Sequence, residues 1–341
     1  MLEYAHGGDI KSFAKKIKCK IKKVIDLSSN INFIKPNIKY DFNSIDISSY
    51  PNYDEIYKII AKYYKIKTNQ IELFNGGSSA IFSLFQNFRY LHLKDCTIYS
   101  PAYLEYKKAA NLFGYNIHHI NRFKNIYKKV KQNSLVVFVN PSTPDGKYYN
   151  LKKLFQIWKK ANATVLIDES FLDFTKYPSD IKFIKEYKKL YILKSMTKFY
   201  SCAGVRSGVV VSNKKNIQKL QNKQPQWKLS QYDINYIKYA LKDKKFRKKS
   251  LLENKKSKKY LEKILAKSDI STKIYKSDAN FILVELNNIT ANELQKRLEP
   301  YNIMVRDCSN FDYLDERYVR IAVKSKNDLK QLKTIFRKID V

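Results

Sequence analysis

Glycine is nearly missing from this chain, with 8 residues in 341, where ordinary usage of about 7% would give about 24. Proline is as sparse, at 8, which excludes collagen-like, mucin-like and linker-rich classes. Arginine is scarce too: 9 of the 66 basic residues, the other 57 being lysine. The four cysteines (Cys19, Cys96, Cys202, Cys308) lie far apart. They show no CxxC or other metal-ligand spacing, so a zinc ribbon is excluded and reduced thiols fit best. No apolar run approaches the roughly 20 residues of a membrane-crossing helix. The opening MLEYAHGGDIKSF has no apolar signal-peptide core. These absences predict a cytoplasmic protein with no membrane partner and no metal.

What is present is a sizeable core and a large charge. Apolar residues make up 44% and aromatics 14%, enough to exclude global disorder. The formal charge is +35. A basic field of that size suggests a nucleic-acid-binding protein. The other reading is an A/T-biased coding sequence, which over-supplies Lys, Ile, Asn and Tyr. The charge is spread along the chain and not gathered in one tail, as the second reading expects.

The apolar pattern predicts an α/β protein. Ile56, Ile59, Ile60 and Tyr63 recur at one-turn spacing, and 151–161 (LKKLFQIWKKA) carries one apolar helix face. Short buried-type strands are expected at 134–139, 164–167, 190–193 and 208–211. Strands alternating with helices indicate a mostly parallel sheet. Residues 214–267 read as long, lysine-rich helix with no strand-like run, and from 272 onward a small α+β domain follows. The expected organisation is an N-terminal arm or lid over 1–35, a large domain over 36–228, and an interdomain helix with a small C-terminal domain over 229–341.

The chemistry gathers at strand ends. Lys198 follows a predicted buried strand in KSMTKFYSCAGVRSG. Desolvation and nearby cations lower a lysine pKa there, so the neutral amine can attack an aldehyde. Ser195, Thr197 and Arg206 stand beside it, and Arg suits bidentate phosphate binding. Asp168 ends the 164–167 run, as an acid facing a ligand crevice does or as a helix N-cap does. Asn140, in NPSTPDG, ends another strand or simply forms a turn. NGGSS at 75–79 opens a helix and offers backbone amides to a phosphate, or caps it. Tyr103, in SPAYLEY, is a core aromatic or a platform for a flat ring.

The ordered set NGGSS, PAY, NPxxPxG, DES, SxTK and Arg206 resembles the fold-type I pyridoxal-phosphate (PLP) enzymes of the aspartate-aminotransferase superfamily, over nearly the whole chain. The resemblance implies a large domain with a seven-stranded-type, mostly parallel sheet. It implies PLP held covalently by Lys198, its ring nitrogen paired with Asp168 and its ring hydroxyl with Asn140. Tyr103 would stack on the ring, and Gly77, Ser78, Ser195, Thr197 and Arg206 would hold its phosphate. Arg320 would grip a substrate carboxylate. Tyr50 would reach a partner's site across a homodimer.

Within the superfamily, HGGD (His6–Asp9), DLSSNIN (26–32) and DESFLDF (168–174) look like the threonine-phosphate decarboxylase branch. The sister group is the histidinol-phosphate aminotransferases, which usually place tyrosine where Phe171 stands. Asp9, Phe33 and Lys324 depart from the branch pattern of Asn, Pro and Arg. The resemblance therefore implies decarboxylation of O-phospho-L-threonine or O-phospho-L-serine, giving aminopropanol phosphate or phosphoethanolamine. A histidinol-phosphate-type aminotransferase is the alternative. His6, Gly8, Asn32, Asn140 and Lys324 are the expected substrate contacts beside Arg320.

Overall fold

A computed structural model describes residues 6–338. Residues 1–5 of the expected arm and 339–341 of the expected C-terminal domain lie outside the described residues. The central element is a seven-stranded sheet. In spatial order its strands are Ile71–Phe74, Gly208–Val211, Leu190–Ser195, Thr164–Asp168, Leu135–Val139, Asp95–Ser100 and Asn116–Asn121. All neighbours run parallel except Gly208–Val211, which is antiparallel to both of its own.

The strands read as continuous apolar runs because both faces are covered. Successive residues alternate between two cores. Val136, Phe138, Val165, Ile167 and Ile192 join one cluster, with Phe155 and Trp158 of the helix Lys152–Lys160. Val137, Val139, Leu166 and Leu193 join the other, with Phe85 and Phe88 of the helix Gly76–Tyr90.

A second sheet of four antiparallel strands follows, in the order Arg306–Asp307, Tyr318–Ala322, Phe281–Leu286, Ser271–Ile274. Its own core includes Leu261, Ile264, Leu294 and Leu329. The lysine-rich segment forms the helices Lys214–Gln221, Gln231–Lys242 and Phe246–Leu265. The last of these bridges the two units. Phe246 at its start packs in the large-sheet core, and Leu261 and Leu265 at its end pack in the small one. The N-terminal arm is tied to the small sheet's side. Ile25–Asp26 pairs in parallel with Ile303–Met304, and Ala322 donates its N–H to the Leu27 carbonyl at 2.8 Å. Among the described residues no helix is long and apolar enough to cross a membrane, and no group of three or more His, Cys, Asp or Glu side chains could hold a metal.

One close approach fixes where the site begins. Gly208 crosses the start of the helix Gly76–Tyr90, and a Cβ at 208 would lie 2.7 Å from the Gly76 carbonyl carbon and oxygen. The obstacle is backbone, which cannot rotate away. Gly208→Ala is therefore expected to destabilise the protein by about 1–3 kcal/mol through overpacking, read as a lowered thermal midpoint. An unchanged midpoint would show that this crossing is loose.

Candidate active site

The carboxyl ends of the central strands open into a cavity of about 600 Å³. Open α/β sheets bind ligands at that edge. Four segments surround it: the arm, the helix beginning at Gly76, the turns after 139, 168 and 195, and the small sheet.

The helix end is built to receive an anion. Asn75 at its N-cap makes no side-chain cap bond, so the first-turn amides have no such partner. The Arg206 guanidinium leans on Gly76 so closely that a Cβ there would overlap it. Gly77 and Ser78 line the cavity with Ser195 and Thr197. The Ser78 hydroxyl lies 3.3 Å from the Tyr103 hydroxyl, and the Thr197 hydroxyl is buried without a hydrogen-bond partner. Helix amides, a guanidinium and hydroxyls converging on one point suit a phosphate.

Lys198 lies on the short helix Met196–Phe199 that follows the Leu190–Ser195 strand. Burial pushes its pKa below the ordinary lysine range. Asp168 opposes that effect, and the Arg206 and Arg320 charges add to it. Asp168 ends its strand at 4% exposure. One of its oxygens accepts from the Tyr106 hydroxyl at 2.7 Å and the other from the Ser170 N–H at 2.8 Å. These bonds aim the carboxylate into the cavity that Lys198 also lines. Tyr103 forms a wall, with the His6 ring 5.2 Å from its own.

The arm closes over the opposite side. Gly7 passes so near the Ser28 carbonyl that a Cβ would sit 2.6 Å from its oxygen. Gly8 donates to the Ser28 hydroxyl at 2.8 Å, and His6 Nε2 meets Glu105 Oε1 at 2.8 Å. Asp26 holds the SSN turn through the Ser28 N–H and hydroxyl and the Ser29 N–H. Burial works against its charge, but Lys324 and these hydrogen bonds keep its pKa below the usual carboxylate value. Asp9 caps the following helix, accepting from the Ser12 N–H.

The small sheet contributes Arg306, Arg320 and Lys324. Arg306 and Arg320 are direct cross-strand partners. Arg320 Nη1 donates to the Thr143 hydroxyl and Nη2 to the Ser28 carbonyl, both at 3.0 Å. Burial lowers its pKa to about 10. Burial also lowers those of Arg306 and Lys324.

The structure thus brings together His6, Gly8, Gly77, Ser78, Tyr103, Asp168, Ser195, Thr197, Lys198, Arg206, Arg320 and Lys324 around one cavity. Two asparagines are not part of it. Asn140 is fully buried beyond the lining. Its amide donates to the Tyr149 carbonyl at 3.1 Å and to Asp180 at 3.3 Å, and accepts from the Tyr149 N–H at 2.9 Å. It closes the 140–149 loop on itself, and Thr143 takes the cavity position. Asn32 stitches the arm to the bridging helix. It donates to the Phe199 carbonyl at 2.8 Å and to Ser250 at 2.7 Å, and accepts from Asn254 at 3.0 Å. Asn30 lines the cavity instead, its amide oxygen without a partner. Tyr50 stands away from this cavity, exposed and stacked on Trp227 at 3.9 Å between ring centres. Sequence reasoning missed Arg306 and Thr143. The first was visible as one of nine arginines, and the second lay inside a motif already noted.

Comparison with known proteins agrees with this geometry. The family described as aminotransferase class I and II matches residues 22–339. A protein of Caldanaerobacter subterraneus, provisionally named a threonine-phosphate decarboxylase, is 29% identical, covering 96% of this chain and 92% of its own. A histidinol-phosphate aminotransferase of Methanosphaera stadtmanae is 26% identical, covering 94% and 92%. The crystal structure of the Clostridium acetobutylicum histidinol-phosphate aminotransferase superposes with a TM-score of 0.82 at 29% identity, over 92% of this chain and 98% of that one.

The depressed Lys198 pKa has a signed consequence for the cofactor-free protein. Between its folded value and the ordinary 10.5, the unfolded chain binds the extra proton, so this group's contribution to stability rises with pH. Below the folded value the full cost of burying the charge is present. Lys198→Met removes that cost. The variant's thermal midpoint should exceed the wild type's most at low pH, and the gap should narrow as pH climbs toward 10.5. A gap independent of pH would show that the amine titrates as in water.

Proposed function

The chain belongs to the aminotransferase class I and II family, whose cofactor is pyridoxal 5'-phosphate, and within it we propose that it is a decarboxylase of an O-phospho-L-amino acid, phosphothreonine or phosphoserine. The residues fit the cofactor. The uncapped helix end, Arg206, Ser195 and the unpartnered Thr197 hydroxyl would hold its phosphate. Lys198 would carry it covalently, Asp168 would meet its ring nitrogen, and Tyr103 would lie along its ring. Bound there, it supplies a ring that accepts the electron pair of a bond broken at the substrate's α-carbon.

The observation that supports the reading is that Lys198, Arg206, Arg306, Arg320 and Lys324 all line one cavity, with Arg306 and Arg320 side by side on neighbouring strands. Arg206 faces the helix end. Arg320, fixed by Thr143 and Ser28, suits the α-carboxylate. Arg306 and Lys324, under the arm with His6 and Asn30, suit a second phosphate. A phosphorylated amino acid on this cofactor presents two phosphates and a carboxylate at once, whereas in the aminotransferase reading the second phosphate comes with histidinol phosphate and the carboxylate with the keto-acid acceptor.

The chain's own groups then have defined tasks. Arg320 orients the carboxylate. The Gly7–Gly8 segment and the SSN turn exclude water from that side. Lys198, its pKa lowered by burial so that its ammonium gives up a proton more readily, returns a proton to the α-carbon as general acid. The balance is one amino acid and one proton in, one CO2 and one phosphorylated amino alcohol out. A homodimer completes the reading, in which Tyr50, exposed in the single chain, would reach a second copy.

Incubation with phosphothreonine and phosphoserine in parallel, without a keto acid, should release CO2 and the matching amine phosphate. Amino transfer from histidinol phosphate that depends on a keto-acid acceptor, with no CO2, would instead establish the aminotransferase reading. Arg306→Ala should raise KM for the phosphorylated substrate about tenfold or more, the loss of a charged hydrogen bond, with kcat changed much less. Unchanged KM would remove Arg306 from the phosphate site.

A further inference from the structure

We propose that Asp233 is a positioning residue for the cofactor phosphate: its carboxylate fixes the backbone from which Arg206 reaches the anion site. The inference rests on the reading of Arg206 as the phosphate-binding group and names what holds that group in place.

Asp233 lies in the first turn of the helix Gln231–Lys242 and is nearly buried. Its Oδ2 accepts from the Ser230 N–H at 3.0 Å and from the Ser230 hydroxyl at 2.8 Å, which completes a capping box. A cap needs one oxygen. The other, Oδ1, accepts from the Arg206 N–H at 2.8 Å, across 27 positions of sequence. A bond from an amide to a carboxylate is charge-assisted and strong. It is made to the Arg206 main chain, so it fixes the root of the side chain and occupies none of the guanidinium donors.

The neighbouring chain explains why that root needs fixing. Two residues on, Gly208 is wedged against the Gly76 backbone. In the other direction the chain leaves through Ala203 and Gly204, which are exposed, and a Cβ at 204 would meet nothing within 4 Å. Arg206 is thus anchored on one side by packing and on the other by Asp233. Its guanidinium lies across Gly76, with Nη1 donating to the Ala203 carbonyl at 3.2 Å. That carbonyl lies on the same exposed turn, so it adds no independent anchor. The stretch before Asp233 braces the other half of the site. The Asn75 amide, at the N-cap of the helix Gly76–Tyr90, donates to the Lys228 carbonyl at 3.3 Å. Lys228 pairs with Glu72 on the strand that leads there, and the Tyr53 hydroxyl bonds both the N–H and the carbonyl of Leu229 at 2.9 Å. Residues 228–233 therefore hold the helix end and Arg206 at a fixed spacing.

The test compares two aldehydes that differ only by the phosphate. The full chain, freed of cofactor, is titrated with pyridoxal 5'-phosphate and with pyridoxal, and uptake is followed by the absorbance of the bound ring, so no turnover is involved. Wild type should prefer the phosphorylated form, and Arg206→Ala should lose most of that preference. Asp233→Ala should weaken pyridoxal 5'-phosphate about tenfold, the scale of a hydrogen bond to a charged group, and pyridoxal less than about twofold. Two further variants separate positioning from capping. Asp233→Gln keeps a capping-box acceptor, but its one acceptor oxygen is spent there and its amide nitrogen cannot accept from Arg206. It should weaken pyridoxal 5'-phosphate as alanine does, and it serves in alanine's place if that variant does not fold. Ser230→Ala gives up the cap and keeps the Arg206 bond. It should lower the thermal midpoint and leave the preference for the phosphorylated form within about twofold of wild type. Equal weakening of both aldehydes by Asp233→Ala, or of neither, overturns the proposal. So does a glutamine variant that binds like wild type, or a Ser230→Ala preference as low as that of Asp233→Ala. If Arg206→Ala leaves the preference intact, the reading of Arg206 fails, and the role of Asp233 falls with it.

Discussion

Arg306 and Arg320 sit directly opposite one another on neighbouring antiparallel strands, both nearly buried. Like charges in that register repel, and burial raises the cost by removing water. Lys198, Arg206 and Lys324 face the same cavity, against the carboxylates of Asp26 and Asp168 among the described residues. Five cations against two carboxylates leave a cavity suited to anionic ligands. Binding to the folded state alone stabilises it by mass action. The cavity is thus the least self-sufficient part of the molecule, and its surroundings make sense as devices for holding the cations still.

Those devices are mostly neutral acceptors. Arg320 rests on a hydroxyl and a carbonyl, Lys324 on the Ile31 carbonyl at 3.2 Å, and Arg306 on the Asn310 amide oxygen at 2.8 Å. Carbonyls and hydroxyls orient a cation without cancelling it, so the charge stays available to a ligand. A carboxylate in their place would neutralise it. The contrast with Lys194 is informative. That lysine lies outside the cavity lining and is paired with Glu169. Two carboxylates face the cavity cations: Asp168 acts on Lys198, and Asp26 on Lys324, the latter with its oxygens largely taken up in folding the Ser28–Ser29 turn.

The sheet was legible where strands are buried on both faces. The runs at 164–167 and 190–193 were placed within two residues of the observed Thr164–Asp168 and Leu190–Ser195. Asp95–Ser100 and Asn116–Asn121 were not seen. Their sequences, DCTIYS and NIHHIN, mix polar with apolar, and the latter lies at the sheet edge, where only one neighbour constrains it. Lys198 and Asp168 stood out because Asp168 ends an apolar strand and Lys198 follows one by three residues. Asn140 and Asn32, expected beside the ligand, do not line the cavity and spend their amides within the protein. A buried amide has both a donor and an acceptor, which suits it to closing a loop on its own backbone. Thr143 and Asn30, a few residues away in the same motifs, occupy the cavity positions. Spacing along the chain could not separate the two members of either pair.

The scarce glycines sharpen the same point. Gly7, Gly8 and Gly77 line the cavity, and Gly76 and Gly208 meet at its phosphate end. Gly204, within the same site motifs, has open space where its Cβ would be, so rarity alone does not prove necessity. Two of the first group stand backbone against backbone: Gly7 on the Ser28 carbonyl, Gly208 on the Gly76 carbonyl. Side chains can move aside and main chain cannot. Each of these contacts joins segments far apart in sequence, the first within the arm and the second between a strand and the helix that opens the site. The Ser28 carbonyl on which Gly7 lies also holds Arg320. A displacement of the arm would remove one of the two acceptors that fix the Arg320 guanidinium, so the position of the arm and the aim of that side chain are coupled.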